Sequence, residues 1–240
     1  MSHQGFFITG TDTEVGKTLV AGALIVKLQS MGLKAIGYKP VIAGMHTIDG
    51  NWINDDIETL LMVSQQAMPE LSASDICPYF LKDAAAPHLV AEKEGIKLEM
   101  DVMIRQYRSL QEKSDTLVVE GAGGFLVPID EESTLGDFAK VINLPVIMVV
   151  NIKLGCINHA LLTAEAIERR GLPVFAWVAN STQSNNEYAH QNIATLQTLL
   201  HKKYNANLLG HISFVETIQN NGLYNMSHLI DVSKALTLNK

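Results

Sequence analysis

The sequence is poor in cysteine and positive charge and has no long apolar run. Its two cysteines, Cys77 and Cys156, are too few for the disulfide framework of a small secreted domain. The eight histidines are scattered and show none of the close Cys/His spacing of a structural zinc site. No stretch reaches the roughly 18 uncharged apolar residues of a membrane-spanning helix. The opening MSHQGFF has no basic segment followed by an apolar core, as a secretory signal would. These absences lead to the expectation of a soluble, cytoplasmic chain with no membrane partner. Lysine and arginine number 18 against 25 aspartates and glutamates, a formal charge of −7. That balance argues against a nucleic-acid partner, because backbone binding needs a concentrated basic patch. Any phosphate must be gripped locally, by a few lysines and backbone N–H groups. No repeat, low-complexity tract or Pro/Ser-rich linker divides the 240 residues, of which 47% are hydrophobic. The chain reads as one α/β domain over residues 1–240.

What is present is an alternation. Short apolar runs recur at Phe6-Phe7-Ile8, Ala35–Lys39, Thr116–Glu120, Val146–Asn151, Val174–Asn180 and Leu208–Ile212. Helical spacing of apolar residues follows at Lys17–Met31, Asp56–Gln66, Leu98–Lys113, Asn158–Arg170, Glu187–Lys203 and Leu223–Leu236. Strands alternating with helices predict an α/β fold with a mostly parallel central sheet and helices on both faces. Gly32 and Gly171 are placed to end helices, and Pro145 and Pro173 stand just before strands. In such a sheet ligands bind outside the carboxyl ends of the strands, so the polar residues there carry the argument.

After the first run comes GTDTEVGKT. A glycine turn opening a helix through Gly16-Lys17-Thr18 is the layout of a phosphate-binding loop: backbone N–H groups wrap phosphates, Lys17 adds charge and Thr18 a hydroxyl for Mg²⁺. The common form has four residues between the glycines; here five separate Gly10 from Gly16, and they include Asp12 and Glu14. Lys39 ends the second run before Pro40. It is either a solvated charge or, beside a nucleotide, a group that holds an oxyanion or a transferring phosphoryl. Asn54-Asp55-Asp56 has the composition of a helix N-cap. The third run ends on Glu120, followed by Gly121-Ala122-Gly123. A carboxylate there is what a nucleotide-bound Mg²⁺ needs beside Thr18, and the small residues let a ligand approach the backbone. Asn180 ends the fifth run with an amide able to pair with adenine; the Asn-Lys-x-Asp of a GTPase is missing there, which favours ATP. After the fourth run, Gly155, Cys156 and Asn158 open a helix whose free N–H groups suit a carboxylate or phosphate. An ordinary turn capped by Asn158, with Cys156 as a small buried apolar residue, is the plainer reading.

Taken together, GTDTEVGKT, GYKPV, VVEGAGG, KLGCINHALLTAEAI and WVAN, in this order and at these separations, resemble the dethiobiotin synthetase family. The resemblance extends from Phe6 to Ser181 and weakens beyond. It implies a homodimeric, Mg²⁺- and ATP-dependent ligase that closes a ureido ring on 7,8-diaminononanoate with CO₂. By this resemblance Lys17 and Lys39 stabilise the carbamate and the transferring phosphoryl, and Thr18, Asp56 and Glu120 position Mg²⁺. Thr13 to Thr18 and Glu120 to Gly123 surround ATP, with Val15 and Gly16 in the loop, while Asn180, Ser213, Phe214 and Val215 meet adenine. Gly155, Cys156 and Asn158 receive the substrate carboxylate from across the dimer interface, with Asn192 near its tail. The family shares the longer, acidic loop, which removes that oddity. For Glu14 a physical role follows, attracting the cationic diamine or accepting its proton, and Asp12 is assigned to capping the turn. This chain departs from the family at Ala43, where a Ser or Thr hydroxyl commonly faces the substrate, and at Ser213, where proline is frequent.

Two other classes compete. One is a regulatory or positioning ATPase of the same broad group. Such proteins usually carry a second lysine early in the loop, and Thr11 to Val15 contains none. The other is an ATP-dependent ligase acting on another carboxylate, which generally comes fused to a glutaminase domain.

Overall fold

The computed structural model describes residues 5–184, 187–214 and 227–231. The chain begins with β1 (Gly5–Gly10), α1 (Lys17–Ser30) and β2 (Ala35–Tyr38). A peripheral segment follows: β3 (Ile42–Ala43), β4 (His46–Ile48), β5 (Asn51–Ile53), α2 (Asp55–Ser64), α3 (Ala73–Ile76), β6 (Phe80–Leu81), α4 (Pro87–Glu94) and α5 (Met100–Gln111). The chain then returns through β7 (Thr116–Gly124), α6 (Leu135–Ile142), β8 (Val146–Asn151), α7 (Cys156–Arg169), β9 (Val174–Asn180), α8 (Ala189–Tyr204) and β10 (Asn207–Ile212). Six strands form one sheet in the order β10-β9-β8-β1-β7-β2, and every pairing in it is parallel. All six strands are those the apolar runs predict. The helix expected over Leu223–Leu236 lies largely outside the described residues.

The central strands carry continuous apolar runs because both faces are covered, as parallel sheets require. Phe7, Ile8, Val118, Val119 and Val146 to Val150 have no exposure at all. Two neighbours on β2 show the two layers. A Cβ on Gly37 would come within 3.1 Å of Leu60 and 3.2 Å of Ile25, so α1 and α2 pack closely on that face. Tyr38, pointing the other way, has its ring 6.2 Å from Tyr107 of α5 and 6.4 Å from Phe138 of α6. Its hydroxyl donates to the Met103 carbonyl at 2.7 Å, which satisfies the buried polar tip.

Order of connection sets where a ligand can enter. From β1 the chain crosses to β2 on one side, whereas from β8 it proceeds to β9 and β10 on the other. Adjacent β1 and β8 therefore send their loops in opposite directions and open a crevice at their carboxyl ends. Helix ends follow the predicted punctuation: Gly32 and Gly171 adopt φ of 86° and 75° just past α1 and α7, the left-handed conformation that glycine takes without strain. Among the described residues no helix is long and apolar enough to cross a membrane.

Candidate functional site

The loop after β1 is shaped by close approach. At Gly10 a Cβ would lie 2.5 Å from the Val15 side chain and 2.8 Å from the Asp12 carbonyl. Gly16, the residue before α1, has φ of 87°, and a Cβ there would fall 2.2 Å from Asn180 Nδ2. Both glycines are thus required by the loop's own geometry. Val15 is fully buried, and its carbonyl accepts from Asn180 Nδ2 at 2.9 Å. This bond ties the end of β9 to the loop. Asp12 Oδ1 accepts from the Thr13 N–H at 2.8 Å, in keeping with the capping reading, and its carboxylate faces Lys153 Nζ at 3.6 Å. Lys17 Nζ donates to the Asp12 carbonyl at 3.1 Å. Burial holds the Lys17 ammonium below the usual lysine value. No side chain caps the first turn of α1 and no acid lies in it, so its N–H groups remain available to an anion.

The loop borders a cleft of about 770 Å³ whose floor carries a compact charge cluster. Lys39 Nζ donates to Glu120 Oε1 at 2.6 Å and to Asp56 Oδ2 at 2.7 Å. The Thr18 hydroxyl lies 2.6 Å from Asp56 Oδ1 and 2.8 Å from Glu120 Oε1; having one proton, it can donate to one of them at a time. Lys39 is 2% exposed and Glu120 fully buried, so Lys39 is a buried ion-pair partner and not a solvated surface charge. Burial opposes the Lys39 charge, but Glu120 and Asp56 outweigh it and hold the ammonium above its ordinary value. Burial likewise opposes ionisation of Asp56, and Lys39 overcomes it, keeping that carboxyl below the usual range. For Glu120 burial dominates and pushes the carboxyl upward. Asn54 supplies the local geometry: its side chain caps α2 by accepting from the Asp56 and Ile57 N–H groups, which leaves Asp56 in the first turn facing the cleft. The N-cap reading holds at Asn54, and Asp56, two residues further on, lines the cleft.

The cluster also fits a magnesium ion. Thr18, Asp56 and Glu120 offer a hydroxyl and two carboxylates, all hard oxygen donors. Glu120 Oε2 is buried with no hydrogen-bond partner, which singles it out as an unused ligand atom. Among the described residues no group of three or more His, Cys, Asp or Glu side chains forms a metal site. A cation here would complete its shell from nucleotide oxygens and water, as Mg²⁺ usually does.

Of the residues singled out in the sequence, Thr13, Glu14, Gly16, Lys17, Thr18, Lys39, Ala43, Asp56, Glu120, Ala122 and Gly123 line this one cleft. Glu14 is exposed at its rim with φ of 57°. Gly121 lies behind, against Phe7. Ser213 and Phe214 lie elsewhere, in a polar hollow of about 330 Å³ with Ser181, His190 and His211, and Val215 is outside the described residues. Gly155, Cys156 and Asn158 stand at the start of α7 and do not line the cleft, and Asn158 borders a separate groove with Leu161, Leu162 and Leu199. The helix begins at Cys156 with Gly155 before it and no side-chain cap, which corrects the assignment of Asn158 as the cap. Cys156 is buried, as the plainer reading has it. Asn192 lies on α8, outside the cleft.

Sequence reasoning missed the opposite wall. Ala84 to Pro87, Val127 and Pro128 close the cleft with small and apolar surface. A run of alanines before a proline in the first turn of α4 was the readable signal. It also missed α6, although Thr134 and Asp137 form a capping box there.

A parallel sheet, a glycine turn running into a helix at Gly-Lys-Thr, and a carboxylate at the tip of the adjacent strand define a P-loop nucleotide triphosphatase fold. The family model for an AAA domain, AAA_26, whose family includes dethiobiotin synthetase, matches residues 4–221, and the chain belongs to that family. Among solved structures the chain is similar to the septum site-determining protein MinD of Pyrococcus horikoshii, solved with Mg-ADP. The identity is 16% and the TM-score 0.52, over 92% of this chain and 86% of that one. MinD in the MinC:MinD cell division complex of Aquifex aeolicus is 14% identical with a TM-score of 0.53, over 93% and 86%. The signal recognition particle receptor FtsY of Elizabethkingia anophelis is 14% identical with a TM-score of 0.51; 95% of this chain aligns, spanning 66% of the receptor. At these identities the likeness is one of fold.

Proposed function

We propose that the protein is an ATP- and Mg²⁺-dependent cyclo-ligase of the dethiobiotin synthetase type, acting on 7,8-diaminononanoate and CO₂ as a homodimer. The observation that carries this reading is Lys39: a buried, charged ammonium facing the same cleft as the phosphate loop, 2.6 Å from Glu120. One amine of the substrate attacks CO₂, forming a C–N bond and losing a proton, to give a carbamate. A carbamate oxygen then attacks the γ-phosphorus as its bond to ADP breaks. The second amine attacks the carbonyl carbon, loses a proton and expels phosphate, which closes the ring. Negative charge gathers on oxygens at each stage, so Lys17 and Lys39 serve by position and charge. Thr18, Asp56 and Glu120 would hold Mg²⁺, which when bound supplies charge to the phosphate oxygens. Asn180 retains an amide oxygen and one amide hydrogen for adenine beyond its bond to Val15. Glu14, on the cleft rim, is assigned to the diamine, as attractor or proton acceptor. Gly155, Cys156, Asn158 and Asn192, which lie off the cleft of their own chain, are assigned to the substrate tail of a partner copy.

The decisive experiment is phosphate release from Mg-ATP with the diamine and bicarbonate each present or omitted. Release that requires both, with a cyclic urea identified by mass, supports the reading. Release indifferent to the diamine discards it. A positioning ATPase is the second reading, favoured by the fold likeness to MinD and FtsY, and that second outcome would bring it forward.

A further inference from the structure

The position that the oxygen donors offer to a divalent cation is bordered by a cation of the protein's own. Lys39 Nζ bridges Asp56 and Glu120 at 2.7 and 2.6 Å, and the Thr18 hydroxyl touches the same two carboxylates. We infer that the Lys39 ammonium is a built-in competitor for this position: without nucleotide it is hydrogen-bonded to both carboxylates and offsets one of their two charges, and a divalent ion entering alone must take them from it. The inference rests on the metal-position reading of Thr18, Asp56 and Glu120, and not on the diamine chemistry.

Three features support it. Lys39 is buried against Glu120 and beside the partly exposed Asp56, so its own charge is paired without any ion from solution. The bond pattern is uneven, since Glu120 Oε1 serves both Lys39 and Thr18 while Oε2 is buried without a partner. That free atom gives an arriving cation a ligand before any existing bond is broken. Two of the three ammonium N–H donors are used; giving up one carboxylate would turn Lys39 towards the cleft, where an anionic substrate would lie. A metal that arrives with nucleotide brings phosphate oxygens as further ligands and overcomes the competition. Metal alone does not.

Mn²⁺ as probe, titrated without nucleotide and followed by the electron paramagnetic resonance of the free ion, tests this directly. Lys39→Met and Lys39→Gln should bind one Mn²⁺ per chain about tenfold or more tightly than the wild type, because one unit of nearby positive charge is gone. The gain should vanish in Lys39→Met/Glu120→Gln. In parallel, Lys39→Met should melt below the wild type in chelator and recover with Mn²⁺, whereas the wild type should not respond. Equal affinity in wild type and variants would overturn the inference, as would a gain that persists in the double variant. Should the variants not fold, the wild type decides alone: tight one-to-one Mn²⁺ binding without nucleotide, or none even with ADP, overturns it, and binding that requires ADP sustains it. Failure of ring closure would appear as a missing cyclic urea and would leave these readouts unchanged.

Discussion

The carboxyl edge of the sheet buries charge on one side of its crevice and only neutral polar groups on the other. On the β1, β7 and β2 side lie Lys17, Lys39 and Glu120, the only charged residues buried among those described. On the β8, β9 and β10 side, Asn151 and Asn180 stand opposite one another in register, Thr182 donates to Asn151 Oδ1 at 2.9 Å, and Ser181 and His211 share a hydrogen bond of 2.9 Å. Burial and the neighbouring His190 keep the His211 imidazole below its ordinary value, so it adds no charge there. Burying a charge costs several kcal/mol before its partners offset it, and that cost is incurred only where the proposed reaction develops charge. The neutral side fixes orientation through amides and hydroxyls.

Four substitutions probe this contrast, and Glu120→Ala should have the largest effect. It takes one of two carboxylate partners from the buried Lys39 and leaves Asp56 as the other, and should lower stability by about 2–3 kcal/mol, read by denaturant unfolding in chelator. A loss below about 1 kcal/mol would mean that water reaches the charged side and that the contrast is false. Gly16→Ala comes next and acts on the seam between the two sides. The left-handed backbone costs a non-glycine residue roughly 1–2 kcal/mol, and the added carbon would lie 2.2 Å from Asn180 Nδ2. Weaker ADP binding by calorimetry, together with a lower melting temperature, is expected. Asn180→Ala removes the seam from the neutral side. The bond to the Val15 carbonyl is lost, costing about 1 kcal/mol. ATP should weaken more than GTP if the amide also reads adenine, and an equal loss for both would assign Asn180 to structure alone.

The same contrast explains what could be read in the sequence. The six sheet strands were legible because continuous apolar runs are the signature of strands covered on both faces, and the loop because its glycines answer to backbone geometry. Lys39 was ambiguous: a lysine at a strand tip is usually solvated, and nothing local reveals that Asp56 and Glu120, 17 and 81 residues away, converge on it. The alanine and proline wall of the cleft was not anticipated, since residues that act by being small leave no chemical signal. Ser213 and Phe214 fall in a hollow separate from the main cleft, a division that no spacing rule conveys.

Asp137→Asn should have the smallest effect and sharpens the contrast from outside it. Asp137 accepts from Arg170 Nε at 3.1 Å, and from the Thr134 N–H at 2.9 Å and hydroxyl at 2.6 Å, at the start of α6. Partial burial works against its charge, but Thr134 and Arg170 prevail and hold the carboxyl below its usual range. A carboxyl depressed in the folded state stabilises it above the unfolded-state value and loses that contribution as pH falls through the folded one. The substitution should therefore cost about 0.5–1 kcal/mol at neutral pH, the half-exposed pair being screened by solvent. The two unfolding curves should converge in strong acid. Molar salt should shrink the Asp137→Asn difference and leave that of Glu120→Ala nearly intact, because mobile ions screen exposed charges and do not reach buried ones. If salt erased both differences equally, the charge cluster would be open to solvent, and burial could not be what distinguishes the two sides of the crevice.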